Sequence, residues 1–139
     1  MRHAAFDELS PATLYEILRL RTDVFVVEQR CAYPELDGRD LEHAARHWWI
    51  EEDAVPVAYL RVLTEADGTT RIGRVVTAPA SRGRGLAAHL LHAALTDAPR
   101  PVVIHAQAHL ERWYRRFGFV ISGPVFDEDG IDHLPMRID

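Results

Sequence analysis

Residues 71–106 constrain the fold more than any other stretch of the chain. Arg71-Ile72-Gly73-Arg74-Val75-Val76-Thr77 reads as a strand and is stopped by Pro79. From Gly83 to about Thr96, Leu86, Leu90, Leu91, Ala94 and Leu95 recur at helical spacing. Pro101-Val102-Val103-Ile104-His105-Ala106 is a short apolar run typical of a central strand. The first strand reaches the helix through Arg82-Gly83-Arg84-Gly85-Leu86-Ala87-Ala88. Strand, glycine turn, helix and strand make an α/β unit, which places a ligand at the strand ends.

The flanking segments extend this unit without dividing it. Ser10-Pro11 starts a helix that runs to about Arg21, with Ser10 as the cap. A second short helix holds Val24, Phe25 and Val27, and an acidic turn-rich segment follows from Glu35 to Glu42. His47–Glu51 and Val57–Leu63 read as an antiparallel pair around a turn. His109 to Phe117 is a further helix closed by Gly118, and strands at Phe119–Ile121 and about Asp132–Ile138 end the chain. At 139 residues this is one domain, residues 1–139.

Composition removes several classes of function. All sixteen basic residues are arginine, so a lysine phosphate loop and a lysine Schiff base are both excluded. The formal charge of -5 argues against nucleic acid as a partner. A single cysteine, Cys31, excludes an internal disulfide and a thiolate zinc cluster. No apolar run approaches a membrane span and no signal run opens the chain, so no membrane partner and a cytoplasmic location are expected. His43 and His47 are four apart and His89 and His92 three apart, but no third ligand accompanies either pair. No metal is expected.

The glycine turn is where the chemistry begins. Glycines let backbone N–H groups approach an anion, the helix N-terminus adds partial positive charge, and Arg82 and Arg84 add guanidinium donors. A phosphate or pyrophosphate is the expected ligand. Gly83, Gly85 and Ala88 also satisfy the dinucleotide pattern G-x-G-x-x-A. The next strand, however, ends in His105-Ala106-Gln107 and lacks the carboxylate that a ribose requires.

A second pattern covers much more of the chain. Arg82, Gly85 and Ala87 match R/Q-x-x-G-x-G/A, and this segment resembles the acyl-CoA-binding turn of the GNAT acetyltransferases. Val75-Val76-Thr77-Ala78-Pro79 resembles the strand before it, and Gln107 to Phe119 resembles the second signature, a helix with tyrosine that ends in Gly-Phe. Val24–Gln29, Tyr33–Asp40, Ala106–His109 and Asp129–His133 are similar to the ElaA-like branch. The resemblance implies an α/β (α+β) GNAT-like fold. Its centre is a mixed, mostly antiparallel twisted sheet of about six to seven strands, flanked by about four helices.

It also implies roles for particular residues. Val75, Val76 and Thr77 would pair with the pantetheine arm, and Arg82, Gly83, Arg84, Gly85, Leu86, Ala87 and Ala88 would hold the pyrophosphate of acetyl-CoA. Gln107 stands where the family often has asparagine. Tyr114 would be the general acid for the leaving thiolate. Glu28, Asp37, His47, His109 and His133 are candidate bases, with Glu28 and His133 ranked first. Arg21, Phe25, Glu28 and Asp37 would border the acceptor pocket, where acidic residues would attract a cationic amine.

The expected activity is acetyl transfer from acetyl-CoA to a primary amine of a small molecule or peptide. The alternatives are a non-catalytic acyl-CoA sensor on the same fold and a nucleotide-binding module of another class. A homodimer through a sheet edge is a further expectation, and the acceptor stays open.

Overall fold

Two apolar clusters lie on opposite faces of one sheet and decide how the elements stack. The computed structural model describes residues 1–139. Its strands are β1 (Arg2–Ala4), β2 (Arg46–Glu52), β3 (Val55–Thr64), β4 (Thr70–Thr77), β5 (Val102–Gln107), β6 (Val120–Ile121), β7 (Phe126–Glu128) and β8 (Ile131–Ile138). The α-helices are α1 (Pro11–Thr22), α2 (Leu86–Asp97) and α3 (Glu111–Arg115). The strands lie in the order β1-β2-β3-β4-β5-β8-β6, with β7 paired to β8. Every pairing is antiparallel except β4 with β5.

Strand alternation sorts the two faces. Leu60, Ile72, Ile104, Ala106 and Met136 face α2, where they meet Leu90, Leu91, Ala94 and Leu95. Trp49, Tyr59 and Val76 face α1 and meet Ile17, Leu20 and Val24. Each buried leucine, isoleucine, valine or methionine among them contributes roughly 1.5–3 kcal/mol. The start of α1 follows the sequence: Ser10 Oγ accepts from the Thr13 N–H at 3.1 Å, and Pro11 occupies the first turn.

Four elements differ from the sequence reading. β1 and β7 are extra strands of three residues each, too short to show alternation, and they exist because β2 and β8 offer them partners. The second short helix is a π-helical turn over Asp23–Glu28 that continues directly from α1. The third helix is shorter than expected, because Ala108–Leu110 forms a 3-10 turn before α3.

Below the α1 face runs a buried ionic layer. Arg21 is fully enclosed, donating from Nε to Glu35 at 2.8 Å and from Nη1 to Asp40 at 2.7 Å. Arg61 donates to Asp37 and Asp40, and Arg74 to Glu35 and Asp37. His47 donates from Nε2 to the Asp40 carbonyl at 3.2 Å, and its Nδ1 accepts from the Tyr59 hydroxyl at 2.6 Å. This layer corrects the expectation for Arg21. It does not wall an acceptor pocket; it ties α1 to the 35–40 loop.

The parallel pair opens the molecule. β4 and β5 are in register only at Thr70↔Val102 and Arg71↔Val103, although both strands continue well beyond. On its other side β4 pairs with β3 at Gly73↔Arg61 and Val76↔Tyr59, so β4 carries an extra residue between these pairs. Arg74, at φ 55°, sits in that bulge. A bulge bends its strand. Here the bend carries β4 away from β5 and leaves the edge of Val75–Thr77 that faces β5 without a strand partner.

Candidate functional site

The split between β4 and β5 floors a cleft of about 1230 Å³. One end is bounded by the glycine turn. Gly83 and Gly85 take φ of 80° and 74°, the left-handed region that glycine enters without strain. Gly85 is the N-cap of α2 and provides no side-chain cap, so the first N–H groups of the helix stay open to a ligand. An anion fits there electrostatically as well as sterically. Val75, Val76, Thr77, Arg82, Gly83, Gly85, Leu86, Ala87 and Ala88 all line the cleft.

The two arginines of the turn part company. Arg82 donates from Nη1 and Nη2 to the two Glu28 carboxylate oxygens, each at 2.8 Å, and from Nε to the Thr77 carbonyl at 3.2 Å. The bonds from Arg82 hold the Glu28 carboxyl below its ordinary range. Arg84 instead pairs with Glu52 and does not line the cleft, so its expected place beside the pyrophosphate is not where the structure puts it.

The middle of the cleft is built from β5 and α3. Gln107 donates from Nε2 to Gln29 Oε1 at 3.3 Å, joining the end of β5 to the segment after the π-helical turn. Tyr114 reaches the cleft from α3 with its ring packed edge-on against Trp113 and Phe119. Burial raises its pKa, and no charged neighbour opposes that shift. The phenol therefore keeps its proton at neutral pH.

The π-helical turn, the 33–39 loop and the β7–β8 hairpin complete the lining. Phe25, Glu28, Asp37 and His133 all face the cleft, as do His109, Tyr33, Arg71, His105 and Glu128. Burial opposes ionisation of Asp37, but bonds from Arg61 and the Arg39 backbone, with Arg74 nearby, hold its carboxyl far below the ordinary range. Such a carboxylate is a poor proton acceptor. His47 lies in the buried ionic layer and does not reach the cleft. The acidic segment expected at the acceptor mouth is thus largely consumed by arginines. Sequence reasoning passed over His105 and Glu128, although Asp129-Gly130 is a turn signal that puts Glu128 on a hairpin.

A strand-edge groove, an open helix N-terminus and a buried tyrosine from a second helix meet in one cleft. A family model described as an acetyltransferase (GNAT) domain matches residues 18–139. The chain belongs to the GNAT family. It is 41% identical to the protein ElaA of Escherichia coli over 138 residues, covering 93% of this chain and 89% of that one. The crystal structure of ElaA aligns with a TM-score of 0.93, at 37% identity over 99% and 97% of the two chains. An acyl-CoA N-acyltransferase from Pseudomonas aeruginosa aligns with a TM-score of 0.92 at 43% identity, over 98% and 96%. At only 9% identity, an aminoglycoside 6'-N-acetyltransferase complexed with coenzyme A shares the fold, with a TM-score of 0.77 over 99% and 96% of the chains.

Membership in the GNAT family gives the chain an acyltransferase fold, one that binds a CoA thioester. No group of three or more His, Cys, Asp or Glu side chains is arranged to hold a metal ion. No helix is long and apolar enough to cross a membrane.

Proposed function

We propose that this GNAT protein is an N-acetyltransferase that moves an acetyl group from acetyl-CoA to a primary amine of a small molecule or peptide. The amine attacks directly while both substrates are bound. The observation that carries this reading is the placement of Tyr114 in the same cleft as the open β4 edge and the glycine turn. Those parts come from separate segments of the chain, and only a ligand spanning them uses all three.

The donor supplies an activated acyl group; the residues bind and orient it. N–H groups of Gly83–Ala88 take the pyrophosphate, with Arg82 beside them. The free edge of Val75–Thr77 pairs with the amide-bearing arm, as a strand would, and Gln107 adds a side-chain amide. A backbone N–H of that edge meets negative charge developing on the acyl oxygen. Tyr114, held protonated by burial, gives its proton to the departing sulfur.

His133 is the base this reading favours. Its Nδ1 donates to the Ile131 carbonyl at 2.7 Å, so in the neutral ring Nε2 carries the free lone pair. Glu28 is less suited, because Arg82 occupies both of its oxygens.

A thiol-release assay with acetyl-CoA over a panel of primary amines, run beside calorimetry with CoA, tests the proposal. The expected result is amine-dependent CoA release by a protein that also binds CoA. CoA binding without release for any amine or peptide would replace the enzyme by an acyl-CoA sensor.

A further inference from the structure

The carboxylates that line the cleft divide by their partners. Glu28, Asp37 and Glu65 each face at least one arginine. Glu128 faces two imidazoles instead: Oε1 lies 3.5 Å from His105 Nδ1, and Oε2 lies 3.5 Å from His133 Nε2.

Sheet register builds this group from three strands. Phe126 pairs with His133 and Glu128 with Ile131 across β7 and β8, while His105 pairs with Pro135 across β5 and β8. His105, His133, Phe126 and Glu128 therefore share one face of the sheet. The Phe126 ring meets both imidazoles, edge-on to His105 at 4.9 Å and stacked on His133 at 5.8 Å. Carrying the β4–β5 register two residues past Arg71↔Val103 sets His105 level with Gly73, just before the bulge. Gly73 leaves the floor there open, with nothing within 4 Å of where a Cβ would stand.

Hydrogen bonding around Glu128 is incomplete. His133 Nδ1 is committed to the Ile131 carbonyl, so in the neutral ring it is the Nε2 lone pair that faces the carboxylate. In that tautomer two acceptors face each other without a donor between them. Around them stand Arg71 on β4, Asp129 in the hairpin turn and Cys31, whose Sγ donates to the Asp129 carbonyl at 3.1 Å. None of these supplies a donor to the gap.

We propose that Glu128 and His133 form the subsite for the acceptor's ammonium group, with His105 flanking the carboxylate and Ile131, which lines the same cleft, as an apolar wall for the adjoining carbon chain. The proposal rests on the acyltransferase reading and narrows its substrate class to cationic primary amines with an apolar stretch beside the nitrogen. A tetrahedral nitrogen sets its acceptors ~4.5 Å apart when both bonds are near ~2.8 Å. The Glu128 side chain, 45% exposed, has room to swing outward by that difference. Charge selection follows, since carboxylate and lone pair attract an ammonium and repel an acidic end.

The test is histidine-ring NMR on the full chain with CoA bound, titrated with n-butylammonium chloride and, separately, with n-butanol. The His105 and His133 resonances are expected to move together and saturably with the amine, and to stay still with the alcohol. Glu128→Gln should weaken the amine titration at least about tenfold, and Glu128→Asp by a smaller factor. Unmoved resonances, or equal affinity in wild type and Glu128→Gln, would overturn the subsite while CoA binding keeps the acyltransferase reading intact. Absence of CoA binding by calorimetry would remove that reading and the subsite with it.

Discussion

Glu28 and Arg82 clasp each other across the mouth of the cleft, with two N–H···O bonds of 2.8 Å joining the π-helical turn to the glycine turn. The guanidinium that would receive a pyrophosphate is therefore already engaged. A phosphate ligand has to compete with the Glu28 carboxylate for the same donors. Both side chains are over two-fifths exposed, so water screens the pair and its strength is modest.

Glu28→Gln is expected to tighten CoA binding about two- to fivefold at low salt, with the gain shrinking as salt rises. Arg82→Ala should weaken binding about tenfold, since it removes a charged donor. Calorimetry at two salt concentrations measures both. If Glu28→Gln loosens CoA instead, the carboxylate helps to place Arg82 and the competition does not exist.

Tyr114→Phe separates chemistry from packing. The ring keeps its contacts with Trp113 and Phe119, and only the hydroxyl is lost. Under the proposed mechanism kcat falls about 10²-fold while the affinity for CoA changes less than about twofold. Burial keeps the phenol protonated, so no loss of this acid is expected as pH rises through 8 or 9. Unchanged turnover in the variant would sink the general-acid role.

How much of this was legible in the sequence depended on distance along the chain. The glycine turn, Tyr114 and Gln107 sit in local patterns whose letters dictate their own geometry. Arg21 does not: its partners Glu35 and Asp40 lie 14 and 19 residues away, and helical spacing alone could not tell a buried arginine from a pocket wall. Arg82 and Arg84 are two residues apart, yet one meets Glu28 and the other Glu52, a division made by tertiary contacts. Glu128 and the two histidines meet only through the pairing of β5, β7 and β8. β1 and β7 were invisible because three residues show no period.

Gly85→Ala tests the turn itself. Glycine at φ 74° accepts what a Cβ resists, although nothing within 4 Å would clash with it. The cost is conformational, about 1 kcal/mol, and appears as a lower thermal midpoint. CoA affinity should fall with it, because the N–H groups that start α2 are aimed by this residue. Gly73→Ala has neither a positive φ nor a contact and should leave the thermal midpoint unchanged. Equal losses of stability in both variants would show that backbone conformation is not what the turn requires.

The buried ionic layer sets the acid limit of the fold. Burial lowers the pKa of His47, and its neutral ring is required to accept the Tyr59 hydroxyl. A histidine depressed in the folded state contributes stability above its unfolded pKa near ~6.5 and loses it as pH falls below that value. Burial works against Asp37 and Asp40, but Arg61 and Arg21 outweigh it and depress both. Their contribution is complete above the unfolded carboxylate value near ~3.9 and fades as pH drops below it. Urea midpoints across pH 8 to 3 should therefore fall in two stages, one below ~6.5 and one below ~4. Arg21→Met should cost about 3–5 kcal/mol at neutral pH, because Glu35 and Asp40 lose a buried partner. It should also flatten the lower stage, since Asp40 then has less reason to stay ionised. A single stage, or an Arg21→Met protein as stable as the parent, would show that the layer does not hold α1 in place.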